Sequence, residues 1–393
     1  MSELLQILLL ITAGVYFVST LLLFWGLYRL RPGGNRDEPS VSVIIPARDE
    51  AQNIEACLAS VLKQDYPHQR YEIIVVDDES RDGTYEIAQS ALEKQEGCSY
   101  KLVRLTSGNP EATVETSSSA ATEIRCGEAR LSGKKRPLTY GIEASKGEIL
   151  LFTDADCKVP SGWIRAVVSH FGAEGELVVG FTFREHGDSL WQKLYSLESL
   201  ATATISAGSI GWGYPITGSA SNLAYRRSLF DQLGGFKDMS SKASGDDTLF
   251  LQKAYRIGGV KGEYMTCPDS FVTTQMPKSP TEVLTQRLRR FTTTLDFSPA
   301  LLLLSALVFL FYLLLILSPI GLLYAPGLFQ IALLCLGAKF IVDLLALYKS
   351  TGIFRKRYLL KYLPILELVY PPFFVYCSIA SLISPSEWKG RKG

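Results

Sequence analysis

Histidine is scarce in this chain, with three in 393 residues, and the seven cysteines are scattered, odd in number and without a Cys-x-x-Cys pair. That combination excludes a zinc site built on the usual cysteine and histidine spacings, and it points to reduced thiols rather than a disulfide framework. Cys57 falls on the apolar face of a predicted helix and belongs to a core. Charge imbalance is missing too. Forty Lys and Arg against 39 Asp and Glu leave a net +1, which lacks the electrostatic footprint of a nucleic-acid or polyacidic partner. No internal repeat is present. Positive charge is absent before the first apolar run, and no small-residue cleavage site closes it, so the run reads as a retained anchor rather than a cleaved signal peptide.

What is abundant is apolar sequence in long blocks. Leu4 to Leu30 is nearly uncharged, and Ala300 to Tyr348 forms two further runs broken at Ser318-Pro319 and at Tyr324-Ala325-Pro326-Gly327. Each exceeds the roughly 20 apolar residues that cross a bilayer. Tyr358 to Ser384 is apolar as well, with Lys361, Glu367 and Pro371-Pro372 inside it, and reads as a kinked span. The expectation is an N-terminal transmembrane anchor at 1–30 and a C-terminal transmembrane region at 300–384 with two to three spans. Arg29, Arg31 and Arg36 follow the first run, and Lys349, Arg355, Lys356 and Arg357 follow the third, which places these segments in the cytoplasm, at a plasma (inner) membrane. Lys389, Arg391 and Lys392 would then lie outside if the last segment spans, so the side of the C-terminus stays open.

Between residues 39 and 280 the pattern changes to short β runs alternating with helices. Val41 to Ile45 is a buried-type strand, followed by a helix with Ile54, Cys57, Leu58, Val61 and Leu62 on one face. Tyr71 to Val76 is a second strand, ending at Asp77-Asp78, and Tyr100 to Leu105 a third. Residues 106–132, rich in Ser, Thr, Ala and Glu, read as a surface insertion with room for a hairpin. Pro137 opens another helix, and Glu148 to Phe152 is a strand ending at Asp154-Ala-Asp156. This order predicts an α/β fold with a mixed, mainly parallel Rossmann-like sheet and helices on both faces.

Polar groups gather at the ends of these strands: Asp49-Glu50, Asp77-Asp78, Lys134-Lys135 and Asp154/Asp156. In a parallel sheet those ends share one edge, where ligands bind, and a pair of carboxylates with lysines nearby suits a divalent cation and a diphosphate. Taken singly, each is also an ordinary turn or helix start.

The segments Val-Ser-Val-Ile-Ile-Pro-Ala-Arg-Asp-Glu, Ile-Val-Val-Asp-Asp-Glu-Ser-Arg-Asp-Gly-Thr, Gly-Lys-Lys-Arg-Pro-Leu and Thr-Asp-Ala-Asp together resemble the family 2 glycosyltransferases of GT-A fold, over Ser40 to about Phe297. The resemblance implies a nucleotide-sugar donor, UDP- or GDP-linked, and inversion at the anomeric carbon. It implies that Asp78 contacts the nucleobase, that Ala47 and Glu50 lie near the nucleoside, that Lys134 serves the phosphates, and that Asp154 and Asp156 bracket the sugar-diphosphate with its Mg2+ or Mn2+. It implies that Asp247, second of the pair Asp246-Asp247 at a predicted helix start, is the general base. Thr217 to Arg227 is similar to the family's small-residue strand and turn beside the acceptor, which brings in Gly218, Ser219 and Asn222.

Between this domain and the membrane, Leu284, Leu288, Phe291 and Leu295 mark an amphipathic helix over 281–297, suited to the headgroup plane. Its Gln286-Arg287-Leu288-Arg289-Arg290 is similar to the family's Q-x-x-R-W motif, which adds Gln286, Arg289 and Arg290 to the donor side. Arg290 stands where the Trp of processive synthases is expected. The sequence therefore reads as a membrane-anchored transferase acting on a membrane-lipid hydroxyl, with a processive polysaccharide synthase as the alternative, and a catalytically inactive scaffold subunit as the non-enzyme alternative.

Overall fold

The computed structural model describes residues 2–95, 97–106, 111–117, 119–125, 133–172, 175–185, 187–236, 246–321, 326–383, 387–388 and 391–392. Along the chain run α1 (Ser2–Leu27), β1 (Val41–Ala47), α2 (Ile54–Val61), β2 (Tyr71–Asp78), α3 (Thr84–Glu93), β3 (Ser99–Leu105), β4 (Glu111–Thr116), β5 (Ser119–Arg125), α4 (Lys135–Ala144), β6 (Ile149–Phe152), β7 (Cys157–Lys158), α5 (Trp163–Val168), β8 (Leu177–Val179), β9 (Thr182–Arg184), α6 (Leu190–Gly211), β10 (Leu223–Arg226), α7 (Arg227–Gln232), α8 (Asp246–Gly258), β11 (Glu263–Tyr264), β12 (Val272–Thr274), α9 (Pro280–Thr292), α10 (Pro299–Leu317), α11 (Pro326–Ile353) and α12 (Leu363–Ser381). They divide into two compact units. One holds Met1–Arg29, His186–Trp212 and Met276–Ser386; the other holds Leu30–Glu185, Gly213–Gln275 and Glu387–Gly393.

The second unit is an α/β domain. Its main sheet has the order β11-β8-β10-β6-β1-β2-β3-β4-β5. At its centre β6, β1, β2 and β3 are parallel, with Val41 opposite both Tyr71 and Ile149. Every residue of β1 and β2 is buried, as the unbroken Val and Ile runs require of strands covered on both faces. Helix α4 approaches so closely that a Cβ at Gly141 would come within 2.6 Å of Ile44 Cγ2. Antiparallel β10 and β8 extend the sheet past β6, and a small sheet β7-β12-β9 stands apart from it.

The segment read as a surface insertion carries the hairpin β4-β5, which continues the sheet antiparallel to β3. Ala112 and Val114 are buried there, and this burial fixes the register of an otherwise polar strand. At the opposite edge from the ligand edge, Glu72 is buried and bound on several sides. Ser42 Oγ donates to it at 2.7 Å, Lys146 N–H at 2.5 Å, and Lys101 Nζ lies 3.0 Å away. Burial drives its carboxyl up, but these donors outweigh it and leave the group below its ordinary range.

The other unit is helical. Among the described residues, four of its helices are long and apolar enough to cross a membrane: Glu3–Leu27, Pro299–Ile320, Pro326–Ile353 and Arg357–Ser381. Leu9, Ala13, Phe311, Tyr312, Leu328, Cys335 and Val375 form their shared core. At the centre of the bundle Lys339 Nζ lies 2.7 Å from Asp343 Oδ2 and 2.5 Å from Glu367 Oε2, while Tyr16 OH donates to Asp343 at 2.8 Å.

Helix α6 was not expected, because its run of Ser, Thr, Ala and Gly gives neither a span nor a clear amphipathic stripe. It packs on α1 at backbone distance: a Cβ on Gly26 would meet Gly208 O at 1.9 Å. Small residues permit such contact between helices.

Candidate active site

The C-terminal ends of β1, β2 and β6 lie at one edge, and the loops leaving them carry the polar groups. Asp49 and Glu79, directly after β1 and β2, adopt left-handed backbone at φ 50° and 62°, a strained state that surrounding bonds must hold. Those bonds are present. Asp49 N–H donates to Ser80 Oγ at 3.0 Å, Glu50 N–H to Thr84 Oγ1 at 2.8 Å, Ala51 N–H to Asp82 Oδ2 at 2.9 Å, and Arg81 N–H to Asp49 Oδ1 at 2.9 Å. The two loops are thereby laced into one wall, beside which Ala47 is buried. At Asp82 slight burial is outweighed by the bonds from Thr84 and Ala51, which hold its carboxyl below the ordinary range.

Asp78 was expected to contact the nucleobase. It is fully buried, and its carboxylate sits between Arg136 Nη1 at 3.0 Å and Arg48 Nη1 at 3.5 Å. That corrects the expectation: in this structure Asp78 braces two arginines, and Arg136 continues to Glu79 at 2.8 Å and to Thr106 O at 2.8 Å. Asp77 is buried alongside, with its Oδ1 lacking a hydrogen-bond donor among the described residues.

After β6, Asp154 and Asp156 straddle a turn. Lys134 Nζ is ion-paired to Asp154 Oδ1, which joins the start of α4 to the end of β6. Asp156 is fixed from two sides, by Thr274 Oγ1 donating to Oδ2 at 3.0 Å and by Cys157 Sγ to Oδ1 at 3.4 Å. Burial, then the negative charges of Asp154 and Glu50, push its carboxyl above the ordinary range. Glu50 is in turn held by Asn53 Nδ2 at 2.7 Å, and Asn53 Oδ1 accepts from Gln275 Nε2 at 2.6 Å. Adjacent residues of one short strand and its exit, Thr274 and Gln275, thus position both acids.

Ligand atoms of Asp154, Asp156 and Cys157 lie within 4.8 Å of one another. Burial and the two aspartates push the Cys157 thiol far up. The carboxylate oxygens fit a hard divalent cation, whose charge would relieve the repulsion among Asp154, Asp156 and Glu50.

Asp247 stands at the start of α8. Its Oδ2 accepts from Ala220 N–H at 3.1 Å and its Oδ1 from Thr248 N–H at 2.7 Å. It lines a small apolar recess with Leu138, Phe152, Ala220 and Leu223, and Phe152 is the last residue of β6 before Thr153 and Asp154. The side chain of Asp246 lies outside the described residues.

The small-residue segment supplies a seat for α8. A Cβ at Gly218 would come within 2.6 Å of Leu251 Cδ1, and Gln252 Nε2 donates to Ile216 O at 3.0 Å. Ser219 Oγ is 2.7 Å from Ser221 Oγ. Asn222 is a correction. It is completely buried, accepts from Trp163 Nε1 at 3.0 Å, and donates to Phe181 O at 2.9 Å and Ser270 O at 2.8 Å, so it fastens the core and is unable to meet an acceptor.

Gln286, Arg289 and Arg290 lie on α9, in the helical unit. There Gln286 Oε1 accepts from Tyr195 OH at 3.2 Å. The buried member of this stretch is Arg287, ion-paired to Glu198 of α6 and lying 5.0 Å from the centre of the Tyr195 ring. Sequence reasoning passed over it because its partner is 89 residues away on an unrecognised helix.

The family described as "Glycosyl transferase family 2" matches residues 42–123 and 108–234. "Glycosyltransferase AglE" of Haloferax volcanii is 36% identical over 153 residues, 38% of this chain and 42% of its own length. "Undecaprenyl-phosphate 4-deoxy-4-formamido-L-arabinose transferase" of Aeromonas hydrophila is 29% identical over 163 residues, 41% of this chain and 42% of its own length. The chain therefore spans less than half of the length of these curated relatives. Among solved structures, "Mannosyltransferase PcManGT from Pyrobaculum calidifontis in complex with GDP-Man and Mn2+" superimposes with a TM-score of 0.56 at 19% identity, covering 96% of this chain and 99% of its own. At that identity the likeness shows a shared fold.

Proposed function

Because residues 42–234 of this chain form a family 2 glycosyl transferase domain, we propose that the protein is an inverting glycosyltransferase that moves a sugar from a nucleotide-diphospho-sugar, UDP- or GDP-linked, to a hydroxyl of a membrane-lipid acceptor. The observation that carries this reading is the gathering of Lys134, Asp154, Asp156 and Glu50 at the sheet's C-terminal edge, where α/β sheets take their ligands. Asp154 and Asp156 would hold Mg2+ or Mn2+, which when bound supplies Lewis-acid stabilisation of the departing diphosphate. Lys134 is the cation to exchange Asp154 for a phosphate oxygen, and the braced loop carrying Ala47 and Glu50 forms the nucleoside wall.

Asp247 takes the proton of the acceptor hydroxyl. As its oxygen bonds to the anomeric carbon, the bond to the diphosphate oxygen breaks on the opposite face, so configuration inverts. Two backbone N–H bonds aim this carboxylate before the acceptor arrives, and a positioned base of this kind contributes about 10²–10⁴ in rate. Gly218 and Ser219 border the acceptor, Asp246 shares the helix start, and Gln286, Arg289 and Arg290 of the interfacial helix over 281–297 belong to the donor-binding set. The apolar helices supply the N-terminal anchor and the C-terminal spans, and the name of one relative includes a lipid phosphate; both favour a lipid acceptor. The positive-inside bias puts the catalytic domain of residues 39–280 in the cytoplasm at the plasma membrane.

The test is nucleoside-diphosphate release by the detergent-purified protein across UDP- and GDP-sugars, with and without Mn2+ or Mg2+, in the presence of membrane lipid extract. Metal-dependent release from one donor together with a discrete glycolipid is expected. A ladder of products would replace this reading with a processive synthase, and silence without donor binding would replace it with a non-catalytic subunit.

A further inference from the structure

The helical unit ends unequally. From Phe297 to Ala338 the sequence carries no charged residue, whereas Leu344 to Leu366 carries Lys349, Arg355, Arg357 and Lys361, together with Lys356, and no acid. The second stretch includes the end of α11 and the start of α12, and the end of α1 adds Arg29 to the same end of the bundle. Among the described residues no carboxylate lies in salt-bridge range of Arg29, Lys349, Arg355, Arg357 or Lys361.

Most of these cations rest instead on aromatic rings. Lys349 Nζ is 3.9 Å from the centre of the Tyr28 ring, the Arg29 guanidinium 4.5 Å from Trp212, that of Arg357 4.6 Å from Tyr348, and Lys361 Nζ 5.1 Å from Tyr362. Tyr28, Tyr348 and Trp212 are themselves about half exposed, at 56%, 52% and 47%. Helix α6 joins this end from both of its own ends: Lys193 Nζ is 5.9 Å from the Tyr362 ring, and Trp212 Nε1 donates to Leu22 O at 2.7 Å.

A cation on a ring face keeps its positive charge outward, and rings of this kind settle at headgroup depth. Surface lysines with nearby acids are neutralised locally; among the described residues no acid lies close enough to do so here, which suits these cations to an anion from outside the chain.

We propose that this end of the bundle is a binding surface for anionic phospholipid headgroups, with phosphates held by the cations Arg29, Lys349, Arg357 and Lys361. It lies outside the residues assigned to donor, acceptor or metal, and it requires no transferase activity. The occupant is a lipid rather than a free phosphate, because the ring-backed cations adjoin helices with apolar exposed faces, where an acyl chain finds cover and a soluble anion gains nothing.

The test uses the full chain in nanodiscs of phosphatidylcholine alone or mixed with phosphatidylglycerol, with retained lipid read by native mass spectrometry and the unfolding midpoint read in parallel. Phosphatidylglycerol is expected to be retained selectively and to raise the midpoint. Each of Lys349→Gln and Arg357→Gln is expected to cut that selectivity about fivefold, whereas Lys349→Arg keeps it. Equal midpoints of the variants in phosphatidylcholine separate lost lipid binding from lost folding. Indifference of the parent protein to phosphatidylglycerol, or displacement of the bound lipid by inorganic phosphate, would overturn the proposal.

Discussion

Lys134 Nζ is bonded to the carboxylate of Asp154, although twenty residues and a whole helix-strand connection separate the two. The pair joins the first acid of the Asp-x-Asp turn to the lysine at the start of α4. On the proposed reading, a donor and its cation would offer both residues other partners. Lys134→Met and Asp154→Ala should therefore each weaken nucleotide-sugar binding, by about 10- to 100-fold for the loss of a charge-assisted contact. Isothermal titration with Mn2+ present checks this; unchanged affinity in both variants would remove them from the donor site.

Thr274 reaches Asp156 from a three-residue strand 118 positions downstream. Groups that orient a metal-binding carboxylate typically matter 10- to 100-fold, so Thr274→Val should raise the Mn2+ concentration needed for half-maximal donor binding by about tenfold, while Thr274→Ser restores it. A metal titration followed by donor fluorescence reads both variants.

Asp247→Asn keeps the shape of the helix start and removes the proton acceptor. Transfer should fall by about 10²–10⁴ while donor affinity stays within a factor of two or so of the parent. Comparing product formation with titrated donor binding separates the two effects, and a variant that transfers at the parent rate would falsify the base assignment.

Glu72 links folding to pH. Its carboxyl is held below its ordinary range in the folded chain, so the stability it contributes is fully present above the unfolded value of about 4.3 and is lost as pH falls through the lower folded value. Glu72→Gln should cost about 1.5–3 kcal/mol at neutral pH, and the gap between variant and parent should close in acid. Unfolding midpoints measured from neutral pH down through pH 4 and below would show a constant gap if Glu72 played no such part.

Lys339 is nearly inaccessible and lies between Asp343 and Glu367, with the Tyr16 ring centre 5.4 Å away. Removing one partner from a buried ion network leaves the other uncompensated, at a cost of about 3–5 kcal/mol in comparable soluble cases. Lys339→Met should lower the unfolding midpoint of the detergent-solubilised protein markedly, and Lys339→Met with Glu367→Gln should recover part of the loss. Equal midpoints for the single and double variants would mean that the network carries no coupling.

Much of the α/β unit was legible because its signals are local. The Val and Ile runs of β1 and β2 need no partner to be recognised, and Asp77, Asp78, Asp154 and Asp156 are read directly where each run stops. Helix α8 was legible from its acidic start and the apolar period that follows. By contrast, β12 has three residues, too short for a period of two to stand out, and α6 has no stripe to betray it. Asn222 was misread because a small polar residue in a small-residue run looks solvent-facing until Trp163, Phe181 and Ser270 are known to surround it.

The sequence by itself determined strands β1, β2, β3 and β6, the apolar blocks long enough to span a bilayer, and the acids waiting at the strand ends, since each depends on neighbours within a few residues. Only the tertiary structure decided what those acids do to one another. That Lys134 lies on Asp154, that Thr274 steadies Asp156, that Ala220 aims Asp247, that Asp78 is sealed by Arg48 and Arg136, and that Glu198 captures Arg287 are all contacts across long stretches of chain. Such contacts are set by which faces are buried together when the sheet and bundle close, and no local periodicity records them.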